Sequence, residues 1–268
     1  MVFSEADIPD LTGKIAITVA VLAAKGAKDV HISYPSTKAA QIEFLEVDLT
    51  SAVSAKANLL YNNAGVMGTP QEKLSRDGYE FQSAVNVFGT FVFTYHLIPI
   101  LLFTAEMSPP GSVRIVNTSS DGAKQAPKSG IPLDDKTLGS PASRFQSYGQ
   151  SKIGVILLTR QLAKRYPTIM SLAPHPGPVQ SNLTRELGIP RPVIWILNRV
   201  VYKPVRYGTL TQLFAGTTPA LGEEFNGSYL VPLAKFETRL PHPQCYDDDF
   251  GSNVWEWNMA AMEAASGA

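Results

Sequence analysis

Apolar residues come in short blocks, at 14–18, 29–33, 42–48, 59–65, 113–120, 169–174 and 228–232. Runs of this length, apolar on both faces, read as strands of a buried parallel sheet. The block at 169–174 is the weakest, because it ends in Pro174. Between the blocks, 19–25, 87–103 and the stretch following Tyr148 have helical character. Strands alternating with helices predict an α/β architecture: a Rossmann-type, doubly wound parallel sheet of about seven strands with helices on both faces. No internal repeat or low-complexity linker divides the 268 residues, so one domain over 1–268 is expected.

The first crossovers are short. A helix over 19–25 would be about 10 Å long at about 1.5 Å per residue. It would have to return along a strand of about 16 Å with no loop residues. The 34–41 stretch contains Pro35 and falls below the roughly 10–12 residues that a whole crossover takes, while 49–58 is marginal. This shortfall predicts that segments are absent from the sequence, with breaks near Thr18/Val19, 38–41 and 50–58.

The longest apolar run, 87–103, is interrupted by Gly89, Thr94, His96 and Pro99. It is shorter than the roughly 20 residues a membrane span needs. A buried or interface helix is expected, and no membrane span. Lys+Arg 23 balances Asp+Glu 23, so no field of one sign argues for nucleic acid or an acidic membrane surface. Cys245 is alone, which excludes a disulfide framework and a cysteine metal site. His175 has no Cys, His or carboxylate at ligand spacing and is read as structural, with no metal. The first residues lack the basic and apolar regions of a secretion signal, so a cytoplasmic protein is expected.

Candidate chemistry centres on Tyr148-Gly149-Gln150-Ser151-Lys152. Residues four apart share one helix face. A phenol with an ordinary pKa near 10 is a poor proton shuttle at neutral pH. A neighbouring ammonium favours the phenolate, and a lowering of roughly three units needs about 4 kcal/mol. Four other pieces fall around this pair in order: Asn62-Asn63-Ala64-Gly65, Asn86, Ser119-Ser120, and Pro176-Gly177-Pro178-Val179, with Asp48 preceding them.

Together these residues resemble the short-chain dehydrogenase/reductase family. The long loop 121–147 and the closing 254–257 are similar to its retinol-dehydrogenase-like and fungal carbonyl reductase branch. The resemblance implies a dinucleotide-binding half over about 11–120 and a catalytic and substrate half over about 121–268. It implies Tyr148 as general acid/base, Lys152 lowering its pKa and holding the nicotinamide ribose, Ser120 holding the substrate oxygen, and Asn86 orienting a relay water. Asp48 would meet the adenine edge, and Asn62, Ala64 and Gly65 the adenine ribose. Pro176, Gly177, Val179 and Ser181 would line the nicotinamide.

One departure is plain: no glycine lies between Gly13 and Gly26, where the family has its glycine-rich pyrophosphate turn. After the second strand, 33–38 carries Lys38 and hydroxyls but no carboxylate, which favours NADP over NAD. The expected protein is an NADP(H)-dependent oxidoreductase. It would move hydride to or from a carbonyl or secondary alcohol of an apolar small molecule, in a pocket built by 184–207. Ile189, Val193, Ile194, Trp195, Ile196 and Leu197 would wall that pocket. The 87–103 helix and the Tyr148 helix could pair two copies as a four-helix homodimer. The alternative is a non-catalytic dinucleotide-sensing regulator on the same fold.

Overall fold

The computed structural model describes residues 16–19, 58–134, 143–181, 183, 187–219 and 221–265. The expected strands at 29–33 and 42–48, and Asp48 with them, lie outside the described residues. Five parallel strands stand side by side in chain order: β1 (Ala16–Val19), β2 (Leu59–Asn62), β3 (Arg114–Asn117), β4 (Met170–Pro174) and β5 (Tyr229–Val231). A short antiparallel β6 (Lys235–Phe236) closes the edge. Val19, expected to open a helix, is the last residue of β1. Thr18 pairs with Tyr61 and Val19 with Asn62, so the backbone runs unbroken through the first expected gap. The other two expected gaps lie outside the described residues.

Helices cover both faces of this sheet. The continuous helical stretch made of α1 (Phe81–Ser83), a π-turn (Ala84–Gly89) and α2 (Thr90–Glu106) shares one face with α3 (Arg144–Arg165). There Phe91, Ile98 and Leu101 meet Leu60, Ile115, Leu158 and Leu162. On the other face α5 (Val205–Thr217) brings Ala215 against Val116, Leu172 and Leu230. Leu60, Ile115, Leu172 and Leu230 are fully buried, and each such side chain contributes about 1.5–3 kcal/mol. The stretch Phe81–Glu106 is long and apolar enough to cross a membrane, but it buries Phe91, Thr94, Ile98, Leu101 and Thr104 inside the protein.

The C-terminal α6 (Asp248–Ala265) lies across α3 and is held there by charge. Arg160 and Lys164 reach the Asp248 carboxylate at 2.8 Å, and Arg165 reaches Glu256 at 3.0 Å. Trp255 inserts edge-on against Phe91, 4.9 Å between ring centroids. Every α3 residue from Ser147 to Thr159 is buried within one chain. The expected four-helix contact would therefore find α3 already covered.

Arg114 on β3 is a buried cation satisfied entirely by carbonyls. It donates to Gly111 at 2.7 Å, Ala215 at 3.0 Å and Thr218 at 2.6 Å. Two of these are last-turn carbonyls of α5, which have no partner within the helix. Burial lowers its pKa, and the lone pairs around it keep the charge tolerable. Replacing Arg114 by Met should leave those carbonyls unpaired and cost about 2–4 kcal/mol, read as a lower urea midpoint.

Candidate active site

Three elements deliver the site to the carboxyl ends of the strands. Ser143 caps α3, its side chain accepting from the Gln146 N–H, and Lys164 and Arg165 complement the helix's C-terminal end. One turn in, Tyr148 is 4% exposed, and the next turn brings Lys152 at 5%. Ser120 follows β3 in extended conformation and caps a short 3-10 turn, accepting from the Gly122 N–H at 3.0 Å. The same hydroxyl lies beside the Tyr148 ring and pulls the phenol pKa down. Lys152 Nζ donates to the Thr118 carbonyl at 2.9 Å and lies 5.6 Å from the Tyr148 ring centre. Ser120, Tyr148 and Lys152 thus converge at one place. Ser119 turns inward instead, buried and without a partner for its hydroxyl.

The Tyr148 pKa runs opposite to the sequence expectation. Burial pushes it up to about 12, and the Ser120 hydroxyl only partly offsets this. Burial also pulls Lys152 down to about 8. The reason is distance and desolvation. Both groups are stripped of water, and the ammonium, 5.6 Å from the ring centre, spends a donor on Thr118.

Glycines shape the contacts around the phenol. A Cβ on Gly122 would sit 2.6 Å from Tyr148 Cε1 and 3.1 Å from Ser120 Oγ. A Cβ on Gly65 would lie 2.9 Å from Asn86 Oδ1 and 3.9 Å from Lys152 Nζ, so the Gly65 loop borders the same space. Asn86 lies in the π-turn, a distortion frequent at functional sites. Its Oδ1 accepts from the Val66 N–H at 2.8 Å, and its Nδ2 donates to the Val66 carbonyl and to Ser151 Oγ. Ser151 in turn donates to the Tyr148 carbonyl at 2.8 Å. The amide therefore locks the loop after β2 onto α3, and both its donors are taken by protein.

The remaining expected contacts separate into those at the sheet edge and those turned inward. Asn62 is buried, donating to Thr94 Oγ1 at 2.9 Å and Asn117 Oδ1 at 2.7 Å. It ties the sheet to the helix layer rather than facing outward, and Ala64 beside it is half-buried. Pro176 and Gly177 follow β4, and Gly177 takes φ 82°, where a Cβ would also meet Pro232 at 2.9 Å. Val179 bridges to Lys203 and packs on Gly208. Ser181 is exposed and accepts from the Leu183 N–H at 3.3 Å. His175 accepts from the Gly177 N–H, and burial takes its pKa down to about 4.

The expected apolar walls behave differently. They form α4 (Arg191–Val200), in which Ile194 and Leu197 are half-buried but Val193, Trp195 and Ile196 face solvent. Residues that sequence reasoning passed over include Ser151, Gly122 and the Thr118 carbonyl. Gly149 and Gly154 inside an otherwise ordinary helix were the available signal for close backbone approach there.

Comparison with known proteins agrees with this geometry. Residues 13–132 match the family model described as short chain dehydrogenase. An oxidoreductase of Schizosaccharomyces pombe is 34% identical, over 96% of this chain and 87% of its own. That alignment runs over 303 positions against 268 residues here, so the relative carries residues with no counterpart in this chain. The short-chain dehydrogenase/reductase drtF of Aspergillus calidoustus is 37% identical over 82% of this chain and 77% of its own. An NADPH-bound carbonyl reductase from chicken fatty liver shares the fold, with a TM-score of 0.50 at 21% identity over 69% of this chain and 64% of that one. The chain belongs to the short-chain dehydrogenase/reductase family, whose members are oxidoreductases on a Rossmann-like, nicotinamide-dinucleotide-binding fold.

Proposed function

We propose that this protein is an NADP(H)-dependent reductase of apolar ketones or aldehydes, with Tyr148 giving the proton to the carbonyl oxygen. The observation that carries the reading is the buried convergence of Ser120, Tyr148 and Lys152. A phenol held up at about 12 stays protonated at neutral pH. It therefore carries the proton that a general acid gives in carbonyl reduction, but at about 12 it is a weaker acid than a free phenol, so the phenolate must be stabilised as the proton leaves. Ser120 would hold the substrate oxygen within reach of that proton.

Residues on the nicotinamide side suit the dinucleotide. An ammonium has three donors, and Lys152 spends one on Thr118, leaving donors for ribose hydroxyls. Gly65 leaves the space beside Lys152 open, since a side chain there would press on Asn86. A nicotinamide held there would supply the hydride that the carbonyl carbon takes up. Lys152, charged below about pH 8, stabilises the phenolate left on Tyr148 when its proton leaves. The preference for NADP rests on Lys38 and the missing carboxylate at 33–38.

A balanced charge and one buried, free cysteine suit a cytoplasmic protein. A homodimer built on the expected helix pair would have to run through α2 rather than α3, whose residues 147–159 are buried within one chain. A dinucleotide sensor is the second reading, favoured by the absence of glycine between Gly13 and Gly26. A sensor has no need of a buried phenol set beside Ser120 and Lys152. The deciding experiment follows NADPH and NADH oxidation with a panel of aromatic and long-chain ketones and aldehydes. Turnover with NADPH supports the reductase, whereas dinucleotide binding without turnover supports the sensor.

The pH dependence has a defined sign. Lys152 loses its charge as pH rises through about 8, so the reductive kcat/KM should hold below that value and fall above it. Arginine stays charged throughout. The Lys152→Arg variant should therefore lose the alkaline limb while its plateau falls, measured as a pH–rate profile.

A further inference from the structure

We infer that α4 and the segment after it form a docking surface for an anionic lipid bilayer. Eleven large apolar side chains are exposed among the described residues, and seven of them fall between Val193 and Tyr207. Val193, Ile196 and Val200 recur at i, i+3 and i+7, one stripe of a helix. Such a stripe ordinarily faces the core. Here Ile194 and Leu197 already supply the contact with the protein, and the stripe stands in solvent with Val200 75% exposed and Trp195 67%. Val201, Val205 and Tyr207 extend the patch into the first turn of α5.

Charge decides what covers this patch. Between 187 and 207 the sequence holds Arg191, Arg199, Lys203 and Arg206 and no acidic residue. The zero net charge of the whole chain conceals this local excess. Exposed aliphatic groups and a tryptophan on a short amphipathic helix, with Arg199, Lys203 and Arg206 exposed in and just after it, are the features that seat a helix in the headgroup region of anionic membranes. A second copy is a poor occupant, because two-fold pairing would oppose the two basic clusters. The surface also joins the candidate active site. Lys203 N–H donates to the Pro178 carbonyl at 2.8 Å, and Gln180 N–H to the Lys203 carbonyl at 2.9 Å. Docking would hold the Val179 loop against the bilayer, but the proposal stands whatever reaction the site performs.

The test uses the full chain with vesicles of phosphatidylcholine alone or mixed with phosphatidylserine. Binding is read by co-sedimentation and by the emission of Trp195, with Trp195→Phe as the spectral control. Binding to the phosphatidylserine vesicles, weakening as salt rises, is the expected result. Lys203→Gln and Arg206→Gln should each lower that affinity roughly fivefold. The Ile196→Ser/Val200→Ser variant should lose it while melting at the wild-type temperature, since both side chains are exposed. The inference is overturned by no binding, by equal binding to both vesicle types, or by undiminished binding of the Ser variant. It is overturned equally if that variant abolishes a concentration-dependent self-association of the wild type, which would make the patch a contact between copies.

Discussion

Tyr148→Phe should reduce carbonyl turnover by about 10²–10⁴-fold, the usual contribution of a positioned general acid. The substitution removes one oxygen from a buried ring. It leaves the ring's packing against Gly122 intact, and Ser120 keeps its bond from the Gly122 N–H. Stability should therefore change little, and dinucleotide affinity should stay within a few-fold of wild type. The loss should appear in kcat. A comparable loss in NADPH binding, measured by fluorescence, would mean that the hydroxyl serves the cofactor rather than the proton. The high phenol pKa makes a second, directional expectation: in the reverse direction, alcohol oxidation should quicken with rising pH, because the ionised fraction of a group near 12 grows across the alkaline range.

Gly149→Ala should unfold the site from beneath. In an ordinary helix interior this change stabilises by about 1 kcal/mol. Here the new methyl would lie 2.4 Å from the Ala126 nitrogen, 2.9 Å from its Cα and 3.0 Å from the Gln125 carbonyl carbon. All three are backbone atoms, so no rotamer change relieves the overlap, and the turn that follows Ser120 must move away from α3. Overpacking typically costs about 1–3 kcal/mol, and the upper end is expected here, with activity lost as Ser120 leaves Tyr148. Gly154→Ala is the internal control. Its methyl would meet only the Val87 side chain, at 2.8 Å for the nearest atom. That side chain can shift, so Gly154→Ala should be clearly milder in a urea titration.

Local patterns were readable from residues alone. Tyr148 and Lys152 share a face because helix periodicity is set by the backbone, and the described strands sit where apolar blocks end in turn residues. What depends on long-range burial was not readable. An ammonium four residues from a phenol suggests a lowered pKa, yet the depth that raises it to about 12 comes from packing across the sheet. The apolar character of α4 was evident, but periodicity does not say which way the stripe turns. Likewise β6 gave no signal. The hairpin that forms it turns at Leu233 and Ala234, both at positive φ. Neither is a turn-forming residue, and Thr211 Oγ1 accepts from the Ala234 N–H within that turn. The inward role of Asn62 follows from Thr94 and Asn117, residues 32 and 55 positions away.

The decisive measurement is a double-mutant cycle across Tyr148→Phe and Lys152→Met in kcat/KM for the carbonyl, at NADPH saturating for every variant so that the ribose contact of Lys152 drops out. If the ammonium acts by stabilising the phenolate that Tyr148 becomes, removing the hydroxyl removes its purpose. The double variant should then match Tyr148→Phe within about threefold. Losses that multiply across the two positions would show two independent roles and contradict a proton-transfer unit built from the pair.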